Sequence, residues 1–323
     1  MNPIFKFEEA KRQKCKASIM IEGLTGQGKS GLALCLAHGL SKDYSKVFVI
    51  DTENKSTNLF VDLPSSTGEK FKGFKVCQLT SEIGFKPSNY LACIQAAVNA
   101  GAEVVIEDSI SHAWNYKGGV LDLLNDAKSN NARYAKDSYA AWSDPTVAKE
   151  KNELLDMIRN PKAHVITTVR VKEKMEYGTD DNGKSKLISL GEQQIQQGEL
   201  KYEPDLVLHM LRPGKVNSDG TIIHPVARVI KSRYAILDKD MEYEFTPELI
   251  EQIRLYLEEG ADPTELLEQQ RQDYIQAVKE YLNTKSTAVN IWNVLKADAG
   301  HKDTKLVDMP LDVLKELYIK LTN

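Results

Sequence analysis

The sequence predicts an α/β domain with a mostly parallel central sheet flanked by helices, followed by an all-helical C-terminal module. Three observations carry that expectation. Short apolar runs rich in β-branched residues recur through the first 240 residues, as strands do when both faces of a sheet are covered. Helical patterns lie between several of these runs, and alternating strand and helix is the pattern of parallel α/β packing. From Thr246 onward the apolar spacing is helical throughout.

The elements follow in order. Residues 17–22 read as a first strand, followed by a Gly-rich turn and a helical pattern from Gly31. Further strands are expected at 47–50, around 74–79, at 104–106 and at 164–169. Residues 88–100 form a helix, with Pro87 and Ser88 as its start signal and Gly101 as its stop. Past Val169 a polar hairpin is expected, with Asp181, Asn182 and Gly183 at its turn, and strands return at 205–210 and 222–231. Four helices close the chain, at 247–258, 264–282, 288–299 and 310–321. The expected division is an N-terminal segment (1–16), a core (17–245) and a helical module (246–323).

Composition narrows the class. With 323 residues, 41% hydrophobic and 27% charged, the chain can bury a sizeable core. A net charge of -4 excludes a polybasic mode of nucleic-acid binding, but not a local basic groove. The acid is concentrated at the back: residues 241–285 hold 11 acidic against 4 basic residues, and the first 240 residues sum to +3. No apolar run approaches the ~20 residues of a membrane span, and the charged N-terminus lacks a signal-peptide pattern, so a cytoplasmic protein without membrane contact is expected. Cys15, Cys35, Cys77 and Cys93 form no C-x-x-C pair and have no His at zinc-ligand spacing. They are expected to be reduced and mostly buried.

The chemistry begins at Gly23-Leu24-Thr25-Gly26-Gln27-Gly28-Lys29-Ser30, which satisfies G-x-x-x-x-G-K-[ST] between a strand and a helix. Glycines let the backbone wrap a triphosphate and turn N–H groups inward, and the helix adds its positive dipole end. Gly23, Thr25, Gly26, Gln27, Gly28, Lys29, Ser30 and Gly31 are therefore the candidates for binding ATP. Lys29 would reach the β and γ phosphates, and Ser30 would coordinate Mg2+. The metal shell needs a strand-end carboxylate, which Glu107 or Asp108 offers. Strand alternation prevents both from facing the nucleotide, and Asp108, followed by a small Ser, is the better choice. Orienting the attacking water falls to Glu53 or Glu107. Glu53 is favoured because carboxyl ends of parallel strands gather at one edge, where it could approach from a strand neighbouring the central phosphate-loop strand.

With these residues placed, the chain resembles the RecA-like P-loop ATPases over about residues 10–240, especially phage-encoded RecA-like single-strand annealing and recombination proteins. The resemblance rests on Gly23 to Ser30, on Val-Ile-Asp-Thr-Glu53, on Val-Val-Ile-Glu-Asp108-Ser and on Val229-Ile-Lys231-Ser-Arg233-Tyr234. It implies a RecA-like core and a homo-oligomer, ring or filament, acting on single-stranded DNA, in the host cytoplasm if phage-encoded. Residues i and i+2 of a strand share a face, and in the family such cations reach a neighbouring subunit's γ-phosphate, which makes Lys231 and Arg233 catalytic candidates. Thr168 falls where the family keeps a polar sensor, here without the usual amide. Arg170, Lys172 and Lys174 lead into what would be a DNA-binding loop.

Other segments add candidates for contact and assembly. Arg133 to Trp142 interleaves cations and aromatic rings, as single-strand binding requires and as a packed amphipathic element also would. Phe7-Glu-Glu-Ala10 looks like an F-x-x-A oligomerisation motif, so the N-terminal segment is a candidate arm. The acidic run would compete with DNA phosphate or simply be solvated. His112 is expected to be structural. The expected function is a DNA-stimulated ATPase promoting annealing or recombination, with single-strand-binding or other recombination proteins as possible partners. Alternatives are a helicase or translocase of the superfamily, or a nucleotide-controlled assembly module with little turnover. A small-molecule kinase is disfavoured, since nothing marks an acceptor pocket.

Overall fold

The structure, a computed structural model, describes residues 9–137, 139–160, 162–179, 185–196, 198, 200–284 and 288–322, with 173–179, 185–192 and 263–266 described as backbone only. The elements run β1 (Ser18–Gly23), α1 (Lys29–Ser41), β2 (Val47–Asp51), β3 (Lys75–Gln78), α2 (Pro87–Asn99), β4 (Val104–Asp108), α3 (Ser111–Asn115), α4 (Val120–Asn130), α5 (Ala132–Lys136) and α6 (Pro145–Asp156). Then come β5 (His164–Thr179), β6 (Ser185–Gln194), β7 (Leu206–Arg212), β8 (Lys215–Val216), β9 (Ile222–Ile223), β10 (Val226–Ser232), β11 (Glu242–Glu244) and α7 (Pro247–Glu258). The chain ends in α8 (Pro263–Thr284), α9 (Ala288–Asp298) and α10 (Leu311–Thr322). Among the described residues, no helix is long and apolar enough to cross a membrane.

The central strands are apolar on both sides because each divides its side chains between two cores. In β1, Ile19 and Ile21 enter one core while Met20 enters the other. In β4, Val104 and Ile106 part from Val105 in the same way. The first core is covered by α1 and the second by α2, with Leu154 of α6 and the following Met157 added to it. The α/β class expected from the sequence, with its mostly parallel sheet, is the one the chain adopts.

Strand order is β11-β10-β7-β1-β5-β4-β2-β3, with β6 paired to β5. The stretch from β7 to β3 is parallel; β10 pairs antiparallel with β7, β11 antiparallel with β10, and β6 antiparallel with β5. Two strands, β5 and β4, therefore separate β1 from β2. Glu53 does not approach from a neighbouring strand, as the sequence reading assumed.

The unit containing the sheet spans 16–257, so the division falls twelve residues later than the position read from sequence. The change from strand to helix pattern at Thr246 is real, but α7 belongs with the sheet. Its Ile250, Ile253 and Leu257 complete the first core, and a Cβ added to Gly39 of α1 would lie 2.0 Å from Ile250 Cγ2.

The other unit joins the residues up to Cys15 with 258–323. Its core includes Tyr274, Ile275 and Val278 of α8, Trp292 of α9, and Leu314 and Leu317 of α10. Lys14 N–H donates to Ala261 O (3.0 Å), and Ala261 N–H donates to Arg12 O (2.9 Å). Residues 12–14 are thus paired to the chain after α7 and are not a separate arm. Phe7 and Glu8 of the F-x-x-A segment lie outside the described residues. About half of the acidic run is ion-paired within each unit: Glu242, Glu244 and Glu251 pair with Arg228, Arg212 and Lys42, and Glu259, Asp262 and Glu268 with Arg12, Lys14 and Arg271.

Candidate nucleotide-binding site

The loop between β1 and α1 is shaped by its own hydrogen bonds and by two left-handed glycines. Gln27 N–H donates to Leu24 O (3.3 Å), and Leu24 N–H donates to Gln27 Oε1 (2.8 Å). Gly26 and Gly28 have φ of 85° and 86°. At Gly28 a Cβ would also lie 2.7 Å from Pro213 Cβ, so conformation and space both demand glycine. Gly28 precedes the first turn of α1, which carries no acidic residue, leaving its amide ends open to an anion. Lys29 is buried, and its Nζ donates to Gly23 O (3.0 Å) and Leu24 O (2.9 Å). Burial lowers its pKa, opposed by the nearby Glu53 and Asp108 carboxylates.

Asp108 faces this loop as strand alternation requires. Ser30 Oγ donates to Asp108 Oδ2 (2.6 Å) and Thr168 Oγ1 to Asp108 Oδ1 (2.6 Å), so both carboxylate oxygens are held. Burial raises the Asp108 pKa against those two hydrogen bonds. Thr168, whose sensor role was open because it lacks an amide, thus joins the site through its hydroxyl. Glu107 turns to the opposite face, fully buried, and neither of its oxygens has a partner. Burial holds its carboxyl well above the usual range. It cannot orient a water at the phosphate loop.

Glu53 reaches the cleft through the loop after β2. Asp51 folds that loop by accepting from Glu53 N–H (2.7 Å) and Thr57 N–H (3.1 Å). Arg170 then donates from Nε to Glu53 Oε1 (2.8 Å), and its Nη2 lies 2.8 Å from the same oxygen in an ion pair. The guanidinium also donates to Tyr116 Oη (3.1 Å). Arg170 sits here because β5 lies beside β1, with Gly23 and Arg170 in register. The sequence reading placed it in a DNA loop and missed its place in this site; only the strand order carries that signal. His112 is buried, with Nδ1 2.7 Å from Thr52 Oγ1 and its ring between Phe85 and Tyr116. Burial, reinforced by Arg170, lowers its pKa to about 4, so it is neutral at pH 7 and structural, as expected.

These residues line one open cleft of about 210 Å3, made by Thr25, Gly26, Gly28, Lys29, Ser30, Glu53, Phe60, Asp108 and Arg170. An adjoining, largely apolar cavity of about 290 Å3 shares Gly28 and Phe60 and is closed by Leu63, Phe71, Lys215 and Pro225. Phe60 and Pro225 carry no motif, and sequence reasoning missed both. No group of three or more His, Cys, Asp or Glu residues that could hold a metal occurs among the described residues. Ser30 and Asp108 therefore offer a cation two oxygen ligands and leave the rest to phosphate and water, a donor set that suits Mg2+. Bound there, Mg2+ would neutralise charge on the phosphates.

Other candidates lie elsewhere. Because β10 is antiparallel to β7, its end falls at the amino edge of the parallel strands, away from Gly23. Arg233 pairs with Asp205 (2.9 Å), whose N–H in turn donates to Ser18 O at the first residue of β1. Lys231 donates to the carbonyls of Tyr202 and Pro204. The register also shifts between Val229 and Lys231, interrupting the regular alternation behind the shared-face argument. Neither cation lines the cleft, and both are engaged by their own chain.

In the segment from Arg133 to Trp142, Trp142 stacks on Trp114 (6.2 Å between centroids) and Ala141 is buried with Leu124 and Val147. Only the Tyr139 ring, 87% exposed, stands free for stacking. Ser138 and the Lys174 side chain lie outside the described residues; Lys172 is exposed. The cysteines are less buried than expected: Cys35 is buried, whereas Cys15 and Cys77 are exposed.

A phosphate loop at the end of a central parallel strand, with Ser30 bonded to the buried Asp108 at its mouth, defines a P-loop nucleoside triphosphatase. A family model described as an AAA domain matches residues 15–235, and the chain belongs to that family. No curated protein matches the chain. Among solved structures, the chain is similar to a KaiC-like protein from the hyperthermophilic archaeon Pyrococcus horikoshii OT3. The two are 15% identical, with 71% of this chain and 84% of that chain covered and a TM-score of 0.40.

Proposed function

We propose that the chain hydrolyses ATP with Mg2+ and uses that cycle, as a RecA-like homo-oligomer on single-stranded DNA, in annealing or recombination. The observation that carries the hydrolysis is the convergence of Lys29, Ser30, Asp108 and Glu53 on one cleft. Lys29 would leave the loop carbonyls for the β and γ phosphates. Ser30 and Asp108 would hold Mg2+, with Thr168 fixing the Asp108 carboxylate. Glu53 would orient the attacking water. The adjoining apolar cavity fits a purine ring, with Phe60 and Pro225 as its walls.

The DNA reading is supported by the path of β5. Past Arg170 the strand leaves the site and continues into the β5–β6 hairpin, beginning with the exposed Lys172. A ligand on that hairpin acts on the same strand that carries the partner of Glu53. While Arg170 holds Glu53, turnover is restrained, and this favours a second reading in which nucleotide mainly controls assembly. The test is the ATPase rate of wild type and Lys29→Ala with and without single-stranded DNA, beside electron microscopy of the same samples. DNA-stimulated turnover that Lys29→Ala abolishes, on rings or filaments, is expected. Turnover that ignores DNA in a protein that stays monomeric removes the recombination reading and leaves the ATPase.

A further inference from the structure

Cys77 on β3 and Cys93 on α2 are separated by 16 positions in the chain, yet their sulfurs lie 3.7 Å apart. No sequence spacing announces the pair; it exists because β3 lies beside β2, against which α2 packs. Cys77 is exposed and Cys93 partly so. Together with Lys75 and Phe48 they line an open cleft of about 240 Å3. Lys75 is two residues before Cys77 and so on the same face of β3, with its ammonium 4.5 Å from the centre of the Phe48 ring. A small solute therefore has access to both sulfurs from this open face. The described residues offer no third metal-binding side chain to complete a metal site.

We propose that Cys77 and Cys93 form a reversible dithiol–disulfide site, oxidised by a small hydroperoxide, that fastens β3 to α2. The two thiols have different parts. Burial, and then the neighbouring Cys77, pushes the Cys93 thiol up to about 12, so the exposed Cys77 is the sulfur that meets the oxidant. The Cys77 thiolate attacks one peroxide oxygen; the S–O bond forms, the O–O bond breaks, and the departing hydroxide takes up a proton as water. The Cys93 sulfur then attacks the Cys77 sulfenic acid; the S–S bond forms and the S–O bond breaks. The Cys93 proton leaves with that hydroxide as a second water. Two thiols and one hydrogen peroxide thus give one disulfide and two waters, the two sulfurs supplying both electrons. Closing from the observed separation to a bond of about 2.05 Å needs side-chain rotation and small adjustment. Because one half of the pair is open to solvent, the bond is readily reduced again by thiols.

The experiment uses the reduced full-length protein, treated with an equimolar amount of hydrogen peroxide, denatured with alkylation and examined by intact-mass and peptide mass spectrometry. The expected result is the loss of two hydrogens, a linked pair of peptides containing Cys77 and Cys93, and full reversal by dithiothreitol. Cys15 and Cys35 should remain alkylated, and the oxidised protein should melt at a higher temperature than the reduced one. In both Cys77→Ser and Cys93→Ala the two-hydrogen loss should vanish. Oxygen adducts on Cys77 with Cys93 still alkylated, or dimers linked through Cys15 in place of the internal link, would overturn the proposal.

Discussion

Arg170 donates from Nε to Glu53 Oε1 (2.8 Å), with Nη2 the same distance from that oxygen in an ion pair. The same carboxylate lines the cleft with Lys29 and Asp108, so the arginine restrains the group assigned to the water. A partly exposed ion pair is worth about 1 kcal/mol, or roughly fivefold in rate. Arg170→Ala is expected to raise DNA-independent ATP hydrolysis by about that factor and to flatten the response to DNA, measured by phosphate release at saturating ATP.

Thr168 tests the metal side of the site. Thr168→Val keeps the shape of the side chain and removes the hydroxyl that donates to Asp108 Oδ1 (2.6 Å). A hydrogen bond to a carboxylate contributes about 1.5–3 kcal/mol, so the Mg2+ concentration for half-maximal hydrolysis should rise roughly tenfold or more. Circular dichroism should be unchanged.

The position of α7 predicts where the chain can be cut. A fragment of residues 16–257 keeps Ile250, Ile253 and Leu257 in the first core, whereas 16–245 loses all three. Each buried side chain is worth about 1.5–3 kcal/mol, and the sum rivals the whole stability of a domain, about 5–15 kcal/mol. The longer fragment should unfold cooperatively in urea, and the shorter should show no cooperative transition.

Acid sensitivity should trace in part to His164. Its Nδ1 accepts the Ala17 N–H (2.9 Å), and burial drives its pKa from 6.5 down to about 3. In that window the unfolded chain binds a proton that the folded chain does not. The contribution to stability is therefore full above 6.5 and is lost as pH falls toward 3. Between pH 7 and 5 this one group removes about 2 kcal/mol. His164→Asn keeps an acceptor without a titrating ring, and its urea stability should fall by that much less over the same range.

Much of this site was legible before the fold. The strand–loop–helix context identified the phosphate loop, and alternation along β4 separated Asp108 from Glu107 without coordinates. What escaped depended on strand order and packing. Arg170 joins the cleft only because β5 lies beside β1. Lys231 and Arg233, read as reaching a neighbouring subunit's phosphate, lie at the amino edge of the sheet because β10 runs antiparallel to β7. The spacing within α7 is as helical as that within α8, and only its packing on α1 assigns it to the sheet unit. Cys77 and Cys93 are distant in sequence and meet because β3 pairs with β2, against which α2 packs.

The central claim is that this cleft hydrolyses ATP with Glu53 orienting the water. Its most direct test is single-turnover hydrolysis, with ATP affinity measured on the same samples, for wild type, Glu53→Gln and Glu107→Gln. Glu53→Gln should lose about 100-fold or more in rate while binding ATP within about threefold of wild type. Glu107→Gln should hydrolyse ATP within about threefold of wild type. A Glu53→Gln protein that turns over at the wild-type rate would contradict the account.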